Sequence, residues 1–211
     1  MRMKMIKYIA CLILCSVLVG GVAVAQPGPV SPRVEVQTTV DAILNQLRTL
    51  PADSTQRRQT ISDLIREQFD FELMSQGALG RSWQSANTEQ RRKFIELFTG
   101  LLEETYLGRI QSYTNEKISY GEEEIRQNRA VVETVIHTAS VEIPISYKLF
   151  LQNNDWQVYD VIIEKVSLIR NYRSSYATIL RRKGMDGLLE EMKEKLDSLH
   201  QRADVAQKDA A

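Results

Sequence analysis

The sequence predicts an α+β domain in which a curved four-stranded antiparallel meander is covered on one face by helices, with an apolar pocket between the layers. Three observations predict it. Apolar residues recur at helical spacing as far as about Tyr113, at a period of two from Lys117 to Glu164, and at helical spacing again beyond that. The alternating stretch has one apolar face, which needs helices over it. The longest helical segment carries an apolar arc wider than a surface helix requires.

The chain opens on what reads as a cleaved signal peptide, residues 1–25. Arg2, Lys4 and Lys7 give a positive start, Tyr8 to Val19 is an apolar run, and Ala23-Val24-Ala25 offers the small residues a signal peptidase inspects. The run falls short of the roughly 20 apolar residues that cross a bilayer, although Gly20 to Ala25 could extend it into an anchor. A lipidated cysteine fits less well, because Cys15 follows Leu14 rather than a small residue and Cys11 lies too early. Cleavage after Ala25 removes both cysteines, so no thiol, disulfide or thiolate ligand remains. It also takes three cations and no acid from a chain with 27 basic and 27 acidic residues. The mildly acidic remainder has no electrostatic footprint for nucleic acid. It has no second membrane-length apolar stretch and suits one soluble domain.

Residues 26–33 hold Pro27, Pro29, Pro32 and Gly28 and read as a flexible lead-in to a single domain over 34–201, followed by a polar tail over 202–211. Val36, Val40, Ile43, Leu44 and Leu47 then make a helical stripe that Pro51 ends, and Ile61, Leu64 and Ile65 make a second. Asn87 with Gln90 three residues on, and Glu89 in the first turn, starts the longest helix, which runs to about Tyr113 and spans on the order of 40 Å. Phe94, Ile95, Leu97, Phe98, Leu101, Leu102, Tyr106 and Ile110 cover about half its circumference. Such a helix either packs on two sides or packs on one and lines a pocket with the other.

Four strands follow, Ile118–Glu123, Ala130–Thr138, Val141–Leu151 and Trp156–Glu164, with Asn153-Asn154-Asp155 as the clearest turn. Val132 and Ile136 share a face, as do Ile143, Ile145, Tyr147, Leu149 and Leu151. Ser167 then caps a helix bearing Leu168, Tyr172, Ile179 and Leu180, which ends near Gly184. The next carries Met185, Leu188, Leu189, Met192, Leu196 and Leu199.

Little of this is catalytic chemistry. His137 and His200 are the only histidines, too few for a metal cluster, and no glycine-rich phosphate loop is present. Glu122-Glu123-Glu124, Glu103-Glu104 and Glu190-Glu191 read as solvated faces or turns. Asp160 is the exception, set inside an apolar strand beside Tyr159. It either pairs with a cation or backbone donor, or acts on a ligand in a cone-shaped enzyme. Arg181-Arg182-Lys183 either complements a helix C-terminus or binds a headgroup.

Four blocks carry a family resemblance. They are Phe69-Asp70-Phe71-Glu72-Leu73-Met74-Ser75 with Leu79-Gly80 and Trp83; Glu89-Gln90 through Phe94 and Phe98 to Thr105-Tyr106; Trp156-Gln157-Val158-Tyr159-Asp160-Val161; and Val166-Ser167-Leu168 with Asn171-Tyr172-Arg173. In this order and spacing, over about Val34 to Leu196, the chain resembles the MlaC or toluene-tolerance family of periplasmic phospholipid-binding proteins. One departure is Lys165, where the family usually has Gly. If that glycine serves a positive φ, either Lys165 is strained there or the turn differs.

The resemblance implies a monomeric, non-enzymatic periplasmic carrier with no cofactor or metal, whose cargo is a phospholipid. It implies as partners an inner-membrane ABC transporter with a ring of MCE domains and an outer-membrane lipoprotein and porin complex, in maintaining outer-membrane lipid asymmetry. A chain of about fifteen methylenes exposed to water costs on the order of 12 kcal/mol, so a carrier must enclose it in apolar wall. The expected lipid-binding wall is Phe94, Phe98, Leu101, Leu102 and Tyr106 from the long helix with Val132, Ile136, Ile145, Tyr147, Leu149, Tyr159, Val161 and Ile163 from the strands. Leu168 and Tyr172 close one end. Core packing is the alternative for each. A hopanoid or other apolar cargo, an enzyme built on Asp160, and an interaction protein with a filled core are the competing readings.

Overall fold

The structure, a computed structural model, describes residues 28, 30–52, 54–113 and 116–209, with side chains as far as residue 203. The signal-peptide reading of residues 1–25 lies outside them. Helix α1 (Pro32–Thr49) begins earlier than the lead-in suggested: Pro32 sits at the first helical position, where a missing N–H costs nothing, and is fully buried. Glu123, expected in a solvated run, fixes that helix start by accepting from Ser31 Oγ at 2.7 Å and Arg33 N at 2.9 Å.

Helix α2 (Thr55–Gln68) is capped by Ser54, and Asp70 caps a helix not expected from the periodicity, α3 (Phe71–Leu79), by accepting from Leu73 N at 2.8 Å. A single turn, α4 (Ser82–Ser85), leads to α5 (Thr88–Gln111), which opens on a full capping box between Asn87 and Gln90.

The sheet is a meander in the order β1 (Lys117–Arg126), β2 (Arg129–His137), β3 (Glu142–Gln152), β4 (Asp155–Ile163) and β5 (Val166–Ser167), each strand antiparallel to the next. The two-residue β5 is one strand more than the sequence suggested. Bulges in β1 after Tyr120 and in β4 after Val158 bend the sheet. The second changes the face of every later residue. Leu149 pairs with Val158 and Lys148 with Asp160, leaving Tyr159 as the extra residue, so Val158, Val161 and Ile163 share the helix-covered side and Tyr159 does not. Tyr159 instead lies under the Arg129 guanidinium, 5.7 Å away.

The β4–β5 turn holds Glu164 at φ 48° and Lys165 at φ 70°. Both sit in the left-handed region, where a side chain carries a cost that glycine escapes. Lys165→Gly is therefore expected to stabilise the domain by about 0.5–1 kcal/mol, read as a higher urea midpoint at an unchanged slope. An equal or lower midpoint would mean that the lysine is unstrained there.

Helix α6 runs from Leu168 to Asp209, through the expected polar tail, and is broken at Gly184 by φ 69°, ψ −169°. Its start is built by Asp160, which is 5% exposed. The carboxylate accepts from Ser167 Oγ at 2.8 Å and Ile169 N at 3.2 Å, with Lys148 Nζ at 3.4 Å, while Ser167 Oγ accepts from Arg170 N at 3.1 Å. The second half of α6 returns along α5 and adds Leu188, Leu189 and Met192 to the core.

Candidate lipid cavity

The buried side chains form two clusters. One lies among α3, α5 and α6 and holds Met74, Ala78, Phe94, Phe98, Leu101 and Leu188; the other lies between α1 and the sheet and holds Val36, Val132, Ile145, Leu149, Val158 and Val161. A domain of this size ordinarily has one contiguous core. Here a cavity of about 420 Å³ lies where they would otherwise merge, and its wall takes Met74 and Leu102 from the first cluster and Val36, Ile136, Ile145, Val158 and Val161 from the second.

Helix α5 explains its broad apolar arc by dividing along its length. Toward its N-terminus Phe94 and Phe98 stack at 5.5 Å and meet Tyr172 and Tyr176 of α6 edge-on, Phe98 to Tyr172 at 5.2 Å and Phe94 to Tyr176 at 5.7 Å. Toward its C-terminus Leu102, Tyr106, Leu107 and Ile110 face the cavity. The expected wall therefore divides as well. Leu102, Tyr106, Ile136, Ile145, Tyr147, Val161, Ile163 and Leu168 line the cavity. Phe94, Phe98, Leu101 and Tyr172 pack in the helical cluster, Val132 and Leu149 are fully buried against the sheet, and Tyr159 faces away.

Sequence reasoning missed the far side of the cavity. Val36, Val40 and Ile43 of α1 and Ile65 of α2, all in stripes already visible, complete the wall with Phe69, Phe71, Met74, Tyr113 and Ile143. The parallel bridge of Phe69 to Val158, with Asp70 N donating to Val158 O at 2.9 Å, docks the α2–α3 junction at the β4 bulge.

Polar groups at the wall are few. Tyr147 lies deep in the domain yet keeps accessible surface, which faces the cavity; burial pushes its phenol up to about 12. Burial also raises Tyr106 and Tyr113. All three stay neutral at ordinary pH, so the wall holds no phenolate. None of Arg181, Arg182 and Lys183 lines the cavity, and Lys183 pairs with Glu191 at 2.8 Å.

Asp160 is also absent from the wall, its oxygens committed to the α6 start. Asp160→Asn is expected to cost about 1–3 kcal/mol of stability, because a strong acceptor of a helix terminus is weakened in a buried place. Bound lipid per folded molecule stays unchanged. A stable variant that loses lipid would reassign Asp160 to the ligand.

Glu103, read from sequence as solvated, closes one side of the cavity from α5 to α2. It accepts from Ser62 Oγ at 2.6 Å and from Arg66 Nε and Nη2, each at 2.6 Å, while neighbouring Glu104 takes Arg58. Burial works to raise its pKa, but these bonds and the Arg66 and Arg58 charges outweigh it and hold it below 4.5. A depressed folded-state pKa gives stability that is present above about 4.5 and lost as pH falls through the lower value. Urea midpoints measured down through that range should therefore fall less steeply for Glu103→Gln than for the wild type. Parallel curves would remove Glu103 from the acid response.

Among the described residues no helix is long and apolar enough to cross a membrane, and no group of three potential metal ligands occurs. Comparison with known proteins places this geometry. Residues 34–194 match the family described as MlaC protein. The intermembrane phospholipid transport system binding protein MlaC of Haemophilus influenzae is 25% identical over 192 residues, covering 86% of this chain and 88% of its own length. A phospholipid-binding protein from Ralstonia solanacearum, solved in complex with a phospholipid, superimposes with a TM-score of 0.75 at 26% identity, covering 80% of this chain and 98% of its own. With three-quarters of its length matched and the two-layer fold shared, the chain belongs to the MlaC family.

Proposed function

We propose that this protein binds a phospholipid by its acyl chains in the cavity and carries it across the periplasm, as a monomer, between an outer-membrane lipoprotein and porin complex and an inner-membrane ABC transporter with an MCE ring. The observation that carries the reading is the apolar cavity between two separate cores. Its volume of about 420 Å³ falls in the roughly 300–1,000 Å³ range of ligand sites. At about 24 cal/mol per Å³, holding it dry and uncollapsed would forfeit on the order of 10 kcal/mol, an upper limit because the space opens to water at its rim. A ligand that fills it recovers part of that loss. The phospholipid complex of the Ralstonia protein and the transport role in the Haemophilus protein's name support the same cargo and use.

Carriage is tested with two vesicle populations separated by a membrane that passes protein but not vesicles. The reading expects labelled phospholipid to reach the acceptor in proportion to the protein added. No transfer by a lipid-loaded protein would leave a binder rather than a carrier.

A further inference from the structure

Among the described residues of the cavity wall two are exposed, Arg109 near the end of α5 and Glu164 in the β4–β5 turn, and they mark a rim where the cavity meets water. Among the described residues of the wall Arg109 is also the one cation. Its guanidinium lies over the Tyr106 ring, 5.8 Å from the centroid, and Tyr113 follows one turn further on. Both tyrosines are wall residues. The ion pairs that tie α5 to α2 use Glu103 and Glu104 with Arg66 and Arg58, and leave Arg109 out.

From this geometry we infer that Arg109 is the headgroup-reading residue of the cavity: it binds the phosphate ester of a lipid whose chains lie among Leu102, Tyr106 and Ile110, and so selects phosphate-bearing over uncharged lipids. The inference rests on the carrier reading. The cation–π contact with Tyr106 steadies the guanidinium at the rim, and among the described residues no side-chain hydrogen bond or ion pair takes its N–H groups, which suits bidentate contact with a phosphate. The other charged wall residue of α5, Glu103, is already neutralised by Arg66, so it does not oppose an anion there. Glu164, the other rim charge, has the wrong sign to bind phosphate.

The competing role of Arg109 is to complement the C-terminal dipole of α5, which would affect stability alone. To separate the two, delipidated full-length protein is equilibrated with vesicles holding phosphatidylethanolamine and diacylglycerol of identical chains, and the lipids recovered with the protein are quantified by mass spectrometry. Wild type is expected to enrich the phospholipid. Arg109→Gln loses about fivefold of that enrichment, as expected for one charge-assisted contact at a wet rim, and keeps its total lipid per molecule. Arg109→Lys retains part of it, and Arg126→Gln, which removes an exposed cation outside the wall, retains all of it. Excess inorganic phosphate leaves the wild-type preference intact, since the site reads a phosphate tethered to chains. Equal enrichment by wild type and Arg109→Gln overturns the inference while the carrier reading stands, as does loss of the preference to free phosphate. A wild type that takes up neither lipid overturns both.

Discussion

Leu149→Asp is expected to unfold the domain, whereas Ile143→Asp, on the same face of β3, is expected to leave it folded and without lipid. Leu149 has no exposed surface and packs in the sheet cluster away from the cavity. A carboxylate there finds neither water nor a cation, and the cost of several kcal/mol is most of what holds a domain together. Ile143 is half-buried and lines the cavity. Once lipid is absent, water can solvate a charge at that position, so the penalty falls on the ligand rather than on the fold. Leu101→Asp, in the helical cluster, should behave like Leu149→Asp. Circular dichroism and lipid per folded protein read both properties. A folded Leu149→Asp, or an Ile143→Asp that keeps wild-type lipid, would show the boundary between core and cavity to be misplaced.

Removing the lipid is the second large perturbation. The delipidated protein is expected to lose several kcal/mol of stability, with roughly 10 kcal/mol as the upper limit set by the empty volume. Partial collapse and entry of water bring the loss below that limit. Because α1 and α2 close one side of the cavity through Val36, Val40, Ile43 and Ile65, their amides should gain most in hydrogen exchange. Identical melting with and without lipid would mean that the domain fills its own interior.

Much of the architecture was legible because it is encoded locally. Asn87 and Gln90 form the capping box, Ser167 caps α6, Gly184 breaks it, and Asn153 and Asn154 take the positive φ of a tight turn. The family motifs turn out to be joints of the fold: Asp70 caps α3, Asp160 starts α6, and Arg173 Nε donates to Gly77 O at 2.6 Å to bind α3 to α6. The cavity wall was less legible, for two physical reasons. Strand alternation gives the face of a residue only until a bulge, and the extra residue in β4 turned Tyr159 outward while bringing Val158 in. An apolar stripe on a helix shows that it is covered but not by what, so Phe94 and Phe98, which touch tyrosine rings, looked the same as Leu102 and Ile110, which face the cavity. The third helix is hard to read because its nine residues make only about two and a half turns, too few for an apolar stripe to repeat.

The central claim is that the space between the two cores holds a lipid. Organic extraction of the purified protein followed by mass spectrometry tests it most directly. Phospholipid is expected at a fixed, near-stoichiometric ratio to protein. Protein recovered folded from a lipid-containing cell with nothing apolar bound would contradict it.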